Sequence, residues 1–297
     1  MSAIHPVIAV TGSSGAGTTT VKNAFQHIFF REKINPLIVE GDSYHRYDRA
    51  SMKKAIEEYA ANDKQISHFG PEANHFDTLA DTFKNYGETG KCRRRYYLHS
   101  EAEAAEHNAR LSTQLTPGQF TPWEDIAQAT DLLFYEGLHG GVVDGQVDVA
   151  KFVDLLVGVV PIVNLEWIQK IHRDNAQRGY SADAIVDTIL RRMDDYIHFI
   201  TPQFSRTDIN FQRVPTVDTS NPFITRDIPT PDESFIVIRF RKPQNIDFPY
   251  LLTMIQDSFM SRPNTIVVPG GKMGFAMEMI LNPIIRELVE KKQKGGK

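Results

Sequence analysis

Short runs of apolar residues alternate along the chain with longer stretches in which apolar positions recur every three or four residues. The runs predict strands, and the longer stretches predict amphipathic helices. Strands are expected at residues 6–11, 37–40, 132–136 and 155–163, and helices at residues 19–31, 50–61, 165–177 and 182–199. Because apolar strands followed by helices are typical of βαβ units, we predict an α/β fold with a twisted, mostly parallel sheet covered by helices on both faces.

The later part of the chain adds elements to this sheet. Runs at residues 213–218, 235–240 and 265–268 predict further strands, antiparallel and near an edge, and residues 273–291 predict a final helix. Residues 291–297 form a polar tail that we expect to fray. Residues 62–128 are polar, aromatic and weakly periodic, so we expect loops and a lid there. We find no repeat and no Pro/Gly/Ser-rich linker, which predicts one domain over residues 1–290.

Composition excludes several classes of protein. The 297 residues are 41% hydrophobic and carry a formal net charge of −4, which argues against a nucleic-acid binder held by a global basic field. Cys92 is the single cysteine, so an internal disulfide is impossible and a reducing compartment is expected. We see no signal peptide and no apolar run long enough to span a bilayer, so we expect a cytoplasmic protein without membrane contact.

A glycine-rich turn follows the first predicted strand and leads into the first predicted helix. Backbone N–H groups of such a turn, together with the helix N-terminus, favour a phosphate. Compared with the motif G-x-x-x-x-G-K-[ST], Thr18 stands where lysine is expected, and Thr19 can place its hydroxyl on Mg²⁺. The positive charge for a nucleotide must therefore come from elsewhere. The candidate ATP-binding residues are Gly12, Ser13, Ser14, Gly15, Ala16, Gly17, Thr18, Thr19 and Thr20.

Asp42 follows the second predicted strand, in the sequence Glu40-Gly41-Asp42. Ligands of open α/β sheets bind beyond the carboxyl ends of the strands, so Asp42 should lie on the same edge as the glycine-rich turn. A carboxylate there can accept the proton of an attacking hydroxyl. His45 and Arg49 are close enough along the chain to reach the same acceptor substrate. The alternative is an ordinary Gly-Asp-Ser turn.

Two further segments carry charged candidates. Glu136 ends the apolar run at residues 131–137 and is placed to hold Mg²⁺, directly or through water. Lys170, Arg173 and Asp174 share one helical face, which Arg178 extends by a turn. The alternative for that face is a solvated surface with ion pairs four residues apart. A transferring phosphoryl group, however, needs positive charge that the glycine-rich turn lacks.

Taken together, these motifs resemble the bacterial (proteobacterial-type) phosphoribulokinases. The matching segments are residues 12–18, 40–42 with His45 and Arg49, 134–140, 164–174, 202–205, 207–215 and 217–223, and the likeness runs from about residue 6 to residue 290. The threonine at position 18 is itself a feature of this branch. The resemblance implies a P-loop kinase fold and the reaction of ATP with D-ribulose 5-phosphate to give ADP and ribulose 1,5-bisphosphate, the step that supplies carbon fixation.

The resemblance also implies roles for individual residues. Asp42 is expected as the general base on the C1 hydroxyl, Lys170 as the group that stabilises the transferring phosphoryl, and Asp174 and Glu136 in the metal and catalytic shell. The residues expected to hold the sugar phosphate are His45, Arg49, Arg173 and Arg178, with His99 as a further candidate near the lid.

Regulation is implied by the resemblance alone. Bacterial members assemble as homo-oligomers and respond to NADH as an allosteric activator, and Arg31, Arg239 and Arg262 stand at positions that the family links to this response. Plant-type enzymes use a cysteine pair for thiol control, which this chain cannot form.

Two other functions remain open on the sequence. One is a related P-loop kinase acting on a nucleoside such as uridine, or on pantothenate, which needs no site for an acceptor phosphate. The cluster Arg49, Arg173 and Arg178 speaks against it. The other is a regulator that binds ATP without turnover and needs no base at position 42.

Overall fold

A computed structural model describes residues 4–12, 18–126, 128–179, 181–225 and 227–295. The strands are β1 Val7–Gly12, β2 Pro36–Glu40, β3 Cys92–Arg94, β4 Glu124–Ile126, β5 Leu132–Gly137, β6 Val143–Asp144, β7 Val147–Asp148, β8 Leu155–Val160, β9 Ile209–Pro215, β10 Ser234–Phe240, β11 Phe259–Arg262 and β12 Thr265–Pro269. The helices are α1 Thr18–Glu32, α2 Arg49–Ala60, α3 Phe76–Thr89, α4 Glu101–Leu111, α5 Val163–Arg178, α6 Ala182–Arg191, α7 Met193–Asp195, α8 Phe248–Met254 and α9 Met273–Gly295.

Eight strands form one sheet in the order β11-β12-β10-β9-β8-β1-β5-β2. The five strands from β9 to β2 run parallel to one another. β10 and β12 pair antiparallel, β10 is also antiparallel to β9, and β11 is antiparallel to β12. The predicted α/β fold with a mostly parallel sheet and added edge strands is therefore confirmed.

Both faces of the parallel part of the sheet are buried, which explains why its strands lack polar alternation. All six residues of β1 are buried. Ile8 and Val10 contribute to a core formed with α1 and α9, whereas Val7 and Ala9 contribute to a core formed with α3 on the opposite face. The carboxyl ends of β1, β2 and β5 are thereby held at one edge between two packed layers.

Several predicted boundaries were wrong, for identifiable reasons. The strand predicted at residues 213–218 is β9, Ile209–Pro215, in which buried Ile209 and Phe211 alternate with the polar Asn210 and Gln212. The strand predicted at residues 155–163 ends at Val160, and α5 begins three residues later. The helix predicted at residues 182–199 is divided into α6, the short α7 and a π-helical turn. β11 was not predicted, since most of its side chains are exposed.

The segment at residues 62–128 contains more regular structure than predicted. It includes α3, α4 and the antiparallel pair formed by β3 and β4. α3 buries half of its residues against the sheet, but polar and small residues among them weaken the pattern in the sequence. At the other end, α9 extends to Gly295, into the tail that was expected to fray. In the part of the chain that the structure describes, no helix is both long and apolar enough to cross a membrane.

Candidate active site

The ends of β1, β2 and β5 meet at one edge of the sheet. Glu136 of β5 pairs in register with Val10 of β1 on one side and with Glu40 of β2 on the other. β1 ends at Gly12, where a Cβ atom would lie 2.6 Å from the backbone oxygen of Val159 on the neighbouring strand. Only glycine fits there, because the end of β1 lies so close to the backbone of β8 that a side chain would collide with it.

Part of the predicted phosphate loop lies outside the described residues. Ser13, Ser14, Gly15, Ala16 and Gly17 belong to that part. Thr18 and Thr19 begin α1, although their side chains are not among those described, and Thr20 is half-buried on the same helix. The position of α1 directly after β1 agrees with a phosphate-binding helix N-terminus.

Two glycines bring the acid-bearing ends of β2 and β5 together. A Cβ atom on Gly41 would lie 2.6 Å from the Tyr135 hydroxyl oxygen and 2.8 Å from the Cα atom of Gly137. A Cβ atom on Gly137 would lie 2.5 Å from the same hydroxyl oxygen. Neither position tolerates a side chain. The glycines of the Glu-Gly-Asp and Tyr-Glu-Gly motifs therefore allow the two backbones to approach closely, and this approach places Asp42 near Glu136.

Asp42 lies in a short 3-10 turn directly after β2 and faces two imidazoles. The distance from Asp42 Oδ1 to His45 Nε2 is 3.3 Å, and that from Asp42 Oδ2 to His99 Nε2 is 3.5 Å. Burial acts to raise the pKa of Asp42, but the hydrogen bond from His45 and the electrostatic interaction with the neighbouring imidazoles outweigh it and lower the pKa to about 2. The carboxylate is therefore ionised at neutral pH, while its side chain keeps 43% exposure.

Asn74 determines which nitrogen of His45 faces Asp42. The Asn74 amide donates to the backbone oxygens of His68 (2.9 Å) and Gly70 (2.7 Å), so its Oδ1 atom must be the one that faces His45 Nδ1 at 2.8 Å. An amide oxygen only accepts, and His45 Nδ1 therefore carries a proton. His45 Nε2 is therefore the nitrogen that faces Asp42. It can donate a hydrogen bond to that carboxylate only when both ring nitrogens carry a proton.

His68 and His139 lie behind this pair, and sequence reasoning missed both. The His68 ring packs against His45 with centroids 4.4 Å apart. His139 Nε2 donates to the backbone oxygen of Phe69 at 3.0 Å. Burial lowers the pKa of each of these two histidines to about 3, so both are neutral near pH 7. No spacing in the sequence connects them to Asp42, because the loops that carry them meet only in the folded chain.

Gln203 is a third residue that pattern reasoning did not select. Its side-chain oxygen accepts from the Thr11 hydroxyl and from the Gly141 backbone N–H, both at 2.8 Å. Its amide nitrogen donates to the backbone oxygens of Leu138 (2.8 Å) and Phe199 (2.7 Å). This buried amide thus joins the end of β1 to the loop that follows β5.

Glu136 is half-buried among other acids. Burial raises the pKa of its carboxyl, and the neighbouring Glu40 and Asp42 add to that rise, while Lys22 opposes it. Within the described part of the chain, no group of three or more His, Cys, Asp or Glu side chains is arranged to hold a metal ion by itself. Mg²⁺ commonly takes one or two carboxylates together with nucleotide phosphates, and Glu136 suits that kind of site.

Lys170, Arg173 and Asp174 form a compact ion cluster on α5. Lys170 Nζ lies 2.5 Å from Asp174 Oδ2, and Arg173 Nε lies 3.0 Å from Asp174 Oδ1. The Asp174 side chain is only 4% exposed, so this is not the solvated surface of the alternative interpretation. Burial acts to raise the pKa of Asp174, but the two cations outweigh it and lower the pKa.

Arg192 links the α5 cluster to the Asp42 turn. Burial lowers the pKa of Lys170, and the charge of Arg192 lowers it further against the opposing effect of Asp174. The same charge contributes to the lowered pKa of His68, which packs on His45. Sequence reasoning missed Arg192, which lies inside the helix predicted at residues 182–199 and belongs to none of the motifs.

Arg49 and Arg178 are the remaining candidates for binding the phosphate of the sugar. Arg49 is the first residue of α2, its side chain is exposed, and its backbone N–H donates to the Gly118 oxygen at 2.9 Å. Arg178 ends α5, but its side chain lies outside the described residues.

The three arginines implied in regulation do not meet within one chain. Arg239 and Arg262 line the same cavity, of about 460 Å³. Arg31 lies on α1, where it contacts Glu278 of α9 at 3.3 Å. Since Ile238 and Phe240 of β10 belong to the core under α1 and α9, strand alternation directs Arg239 to the opposite face of the sheet.

A mostly parallel sheet, with a glycine-rich sequence between β1 and α1 and acids at the ends of β2 and β5, is typical of the P-loop kinase fold. Comparison of the sequence with family models agrees: residues 7–220 match the "Phosphoribulokinase / Uridine kinase family". The chain belongs to this family.

Individual relatives are similar over their full length. A phosphoribulokinase of Nitrobacter vulgaris is 57% identical over 292 residues, covering 98% of this chain and 99% of the relative. The plasmid-encoded phosphoribulokinase of Cupriavidus necator is 58% identical over 297 residues, covering 100% of both. Among solved structures, phosphoribulokinase from Rhodobacter spheroides superposes with a TM-score of 0.88 at 53% identity, covering 97% of this chain and 99% of that one.

Proposed function

We propose that the protein is a phosphoribulokinase, which transfers the γ-phosphoryl group of ATP to the C1 hydroxyl of D-ribulose 5-phosphate. The observation that carries this proposal is the ionised Asp42 carboxylate, which lies between His45 and His99 near the end of β5. The C1 oxygen attacks the γ-phosphorus, the bond to the ADP oxygen breaks, and Asp42 accepts the hydroxyl proton. The products are ADP and ribulose 1,5-bisphosphate.

The α5 cluster supplies the charge that position 18 lacks. Lys170 is pre-oriented by Asp174, and its ammonium would interact with the negative charge that spreads over the transferring phosphoryl group. Asp174 Oδ1 also accepts a hydrogen bond from Arg173 Nε at 3.0 Å, which restricts the position of that guanidinium group. A cation held by a buried carboxylate needs little reorganisation during the reaction, which is what electrostatic stabilisation of a transition state requires.

Mg²⁺ enters this site with ATP. The residues that would hold it are Glu136 and the Thr19 hydroxyl, together with phosphate oxygens. Asp174 would join them by exchanging its contact with Lys170 or Arg173 for the metal ion. The all-oxygen donor set fits this hard cation, and Glu40 and Asp42 place further negative charge near Glu136. When bound, the ion would neutralise charge on the β- and γ-phosphates.

The phosphate of the sugar requires cationic side chains away from the nucleotide. We assign this role to His45, Arg49, Arg173 and Arg178, with His99 as a further contact. Arginine is suited to a phosphate because its planar guanidinium donates two parallel hydrogen bonds. A nucleoside or pantothenate kinase would not need this set of cations, and a sensor without turnover would not need an ionised Asp42.

We also propose a homo-oligomeric, cytoplasmic enzyme activated by NADH. Arg239 and Arg262 share a cavity large enough for part of a dinucleotide. Arg31 lies on the other side of the sheet, so a site using all three arginines would need two subunits. The pyrophosphate of NADH suits such a set of guanidinium groups.

A coupled assay of ADP formation tests the proposed function. Purified protein with MgATP should turn over ribulose 5-phosphate, and should not turn over uridine or pantothenate at comparable rates. Turnover of uridine or pantothenate instead would favour the related small-molecule kinase. Tight ATP binding without turnover of any acceptor would favour the sensor.

A further inference from the structure

Arg95 occupies an unusual position next to the catalytic turn. Its Nε atom donates to the backbone oxygen of Ser43 at 2.7 Å, and its Nη2 atom donates to the backbone oxygen of His45 at 2.6 Å. These two carbonyl groups lie one and three residues after Asp42 in the chain. One guanidinium therefore holds the backbone on which both Asp42 and His45 depend.

Two aromatic rings, those of Phe120 and Trp123, lie beside the guanidinium of Arg95. Its central carbon lies 3.8 Å from the Phe120 ring centroid and 4.8 Å from that of Trp123. Burial lowers the pKa of Arg95 to about 10, and Tyr44 opposes that shift, so the side chain remains charged near pH 7. A stacked, charged fork of this kind has little freedom to move.

The segment that carries Arg95 also carries His99. Residues 96–98 pair with residues 118–121 through backbone hydrogen bonds, including Leu98 N to Gln119 O at 2.9 Å. The Gly118 oxygen accepts the backbone N–H of Arg49, also at 2.9 Å. The distance from His99 Nε2 to Asp42 Oδ2 is therefore set by how this segment is attached to the turn that bears Asp42.

We propose that Arg95 is a positioning residue that fixes the Asp42 turn against the segment bearing His99, and so aims the Asp42 carboxylate at the acceptor hydroxyl. Arg95 bonds only backbone carbonyls in this role and does not contact substrate. The inference rests on the proposed function, since it concerns the proton transfer by Asp42. Misplacement of a reacting group by about 1 Å can cost about 100-fold in rate.

Lysine cannot replace this side chain fully. An ammonium can reach one carbonyl but lacks the planar fork that bonds two carbonyls while stacking on two rings. The Arg95→Lys variant should therefore retain charge and fold but lose part of the positioning. The Arg95→Ala variant should leave a space beside Phe120 and Trp123 in which a free guanidinium ion can bind the same two carbonyl oxygens.

The test measures kcat and KM of Arg95→Ala and Arg95→Lys with ribulose 5-phosphate and MgATP. We expect kcat to fall about 10- to 100-fold in Arg95→Ala and less in Arg95→Lys, with KM for ATP changing less than about threefold. Millimolar guanidinium should restore part of the lost kcat in Arg95→Ala. Arg93→Ala is the matched control, because its side chain is 63% exposed and pairs only with Asp125 among the described carboxylates.

Results with the Arg95 variants alone can overturn the assignment in three ways. These are a wild-type kcat in Arg95→Ala, a loss of activity that guanidinium does not restore, and failure of both Arg95 variants to fold, which would make the residue structural. If guanidinium stimulates Arg93→Ala equally, the rescue is nonspecific and the assignment also fails. Absence of turnover in the unmodified protein would instead reject the proposed function.

Discussion

Asp42 and Asp174 are the two aspartates of the site, and their surroundings differ. Asp42 is 43% exposed and is paired with imidazoles, whose charge depends on pH. Asp174 is 4% exposed, and its two oxygens contact a lysine and an arginine. The difference indicates a division of labour: an accessible, ionised carboxylate can accept a proton, whereas a carboxylate enclosed by permanent cations holds those cations in place.

The largest effect is expected for Asp42→Asn. The amide is nearly isosteric with the carboxylate but accepts protons poorly, so kcat should fall by about two to four orders of magnitude. Binding of ATP should stay close to that of the unmodified protein. Asp81→Asn, which replaces an exposed aspartate on α3, serves as the control. Near-normal kcat in Asp42→Asn would show that Asp42 is not the base.

Lys170→Met should give the next largest effect. If the ammonium acts mainly on the transition state, kcat should fall about 100-fold, and KM for ribulose 5-phosphate should change much less. Lys84→Met on α3 controls for the loss of an exposed lysine. An effect on KM alone would make Lys170 a substrate clamp, and unchanged kinetics would return the α5 face to a structural role.

Arg49→Ala should act on one substrate. Loss of charge-assisted hydrogen bonds to a phosphate dianion should raise KM for ribulose 5-phosphate about tenfold, while KM for ATP moves much less. Lys54→Ala, on a different face of α2, removes a nearby exposed cation as the control. Equal changes in both KM values would indicate folding damage or a misplaced site.

Arg262→Ala should have the smallest effect on basal activity. We expect NADH to raise the activity of the unmodified protein, dithiothreitol to have no effect, and the variant to respond to NADH more weakly with its unstimulated rate retained. The thiol of Cys92 is unsuited to redox control, since burial raises its pKa to about 11. Activity that follows dithiothreitol and ignores NADH would contradict this proposal.

The sheet and the edge that carries the site could be predicted from local patterns. Strands such as β1 and β5 are apolar on both faces, and motifs at their ends must meet once the strands are parallel. That reasoning predicts Asp42 at the edge that carries the glycine-rich turn, with Glu136 at the end of a neighbouring strand. It could not place β11, whose exposed side chains carry no alternation.

The residues that support Asp42 and His45 from behind were harder to predict. His68, Asn74 and Arg95 lie in segments without regular secondary structure, and their positions depend on contacts between parts of the chain that are distant in sequence. Periodicity describes which face of an element is buried, but it contains no information about which loop meets which. The charge cluster on α5 was predicted from spacing, whereas its burial was not.

The most direct test of the division of labour measures kcat and thermal stability together in Asp42→Asn and Asp174→Asn. Both variants should lose most of their activity. Asp174→Asn leaves Lys170 and Arg173 without their carboxylate, so its Tm should fall by several degrees, corresponding to about 1–3 kcal/mol. Asp42→Asn should lose activity with its Tm changed by less than about 2 °C. A lower Tm in Asp42→Asn with an unchanged Tm in Asp174→Asn would contradict the account.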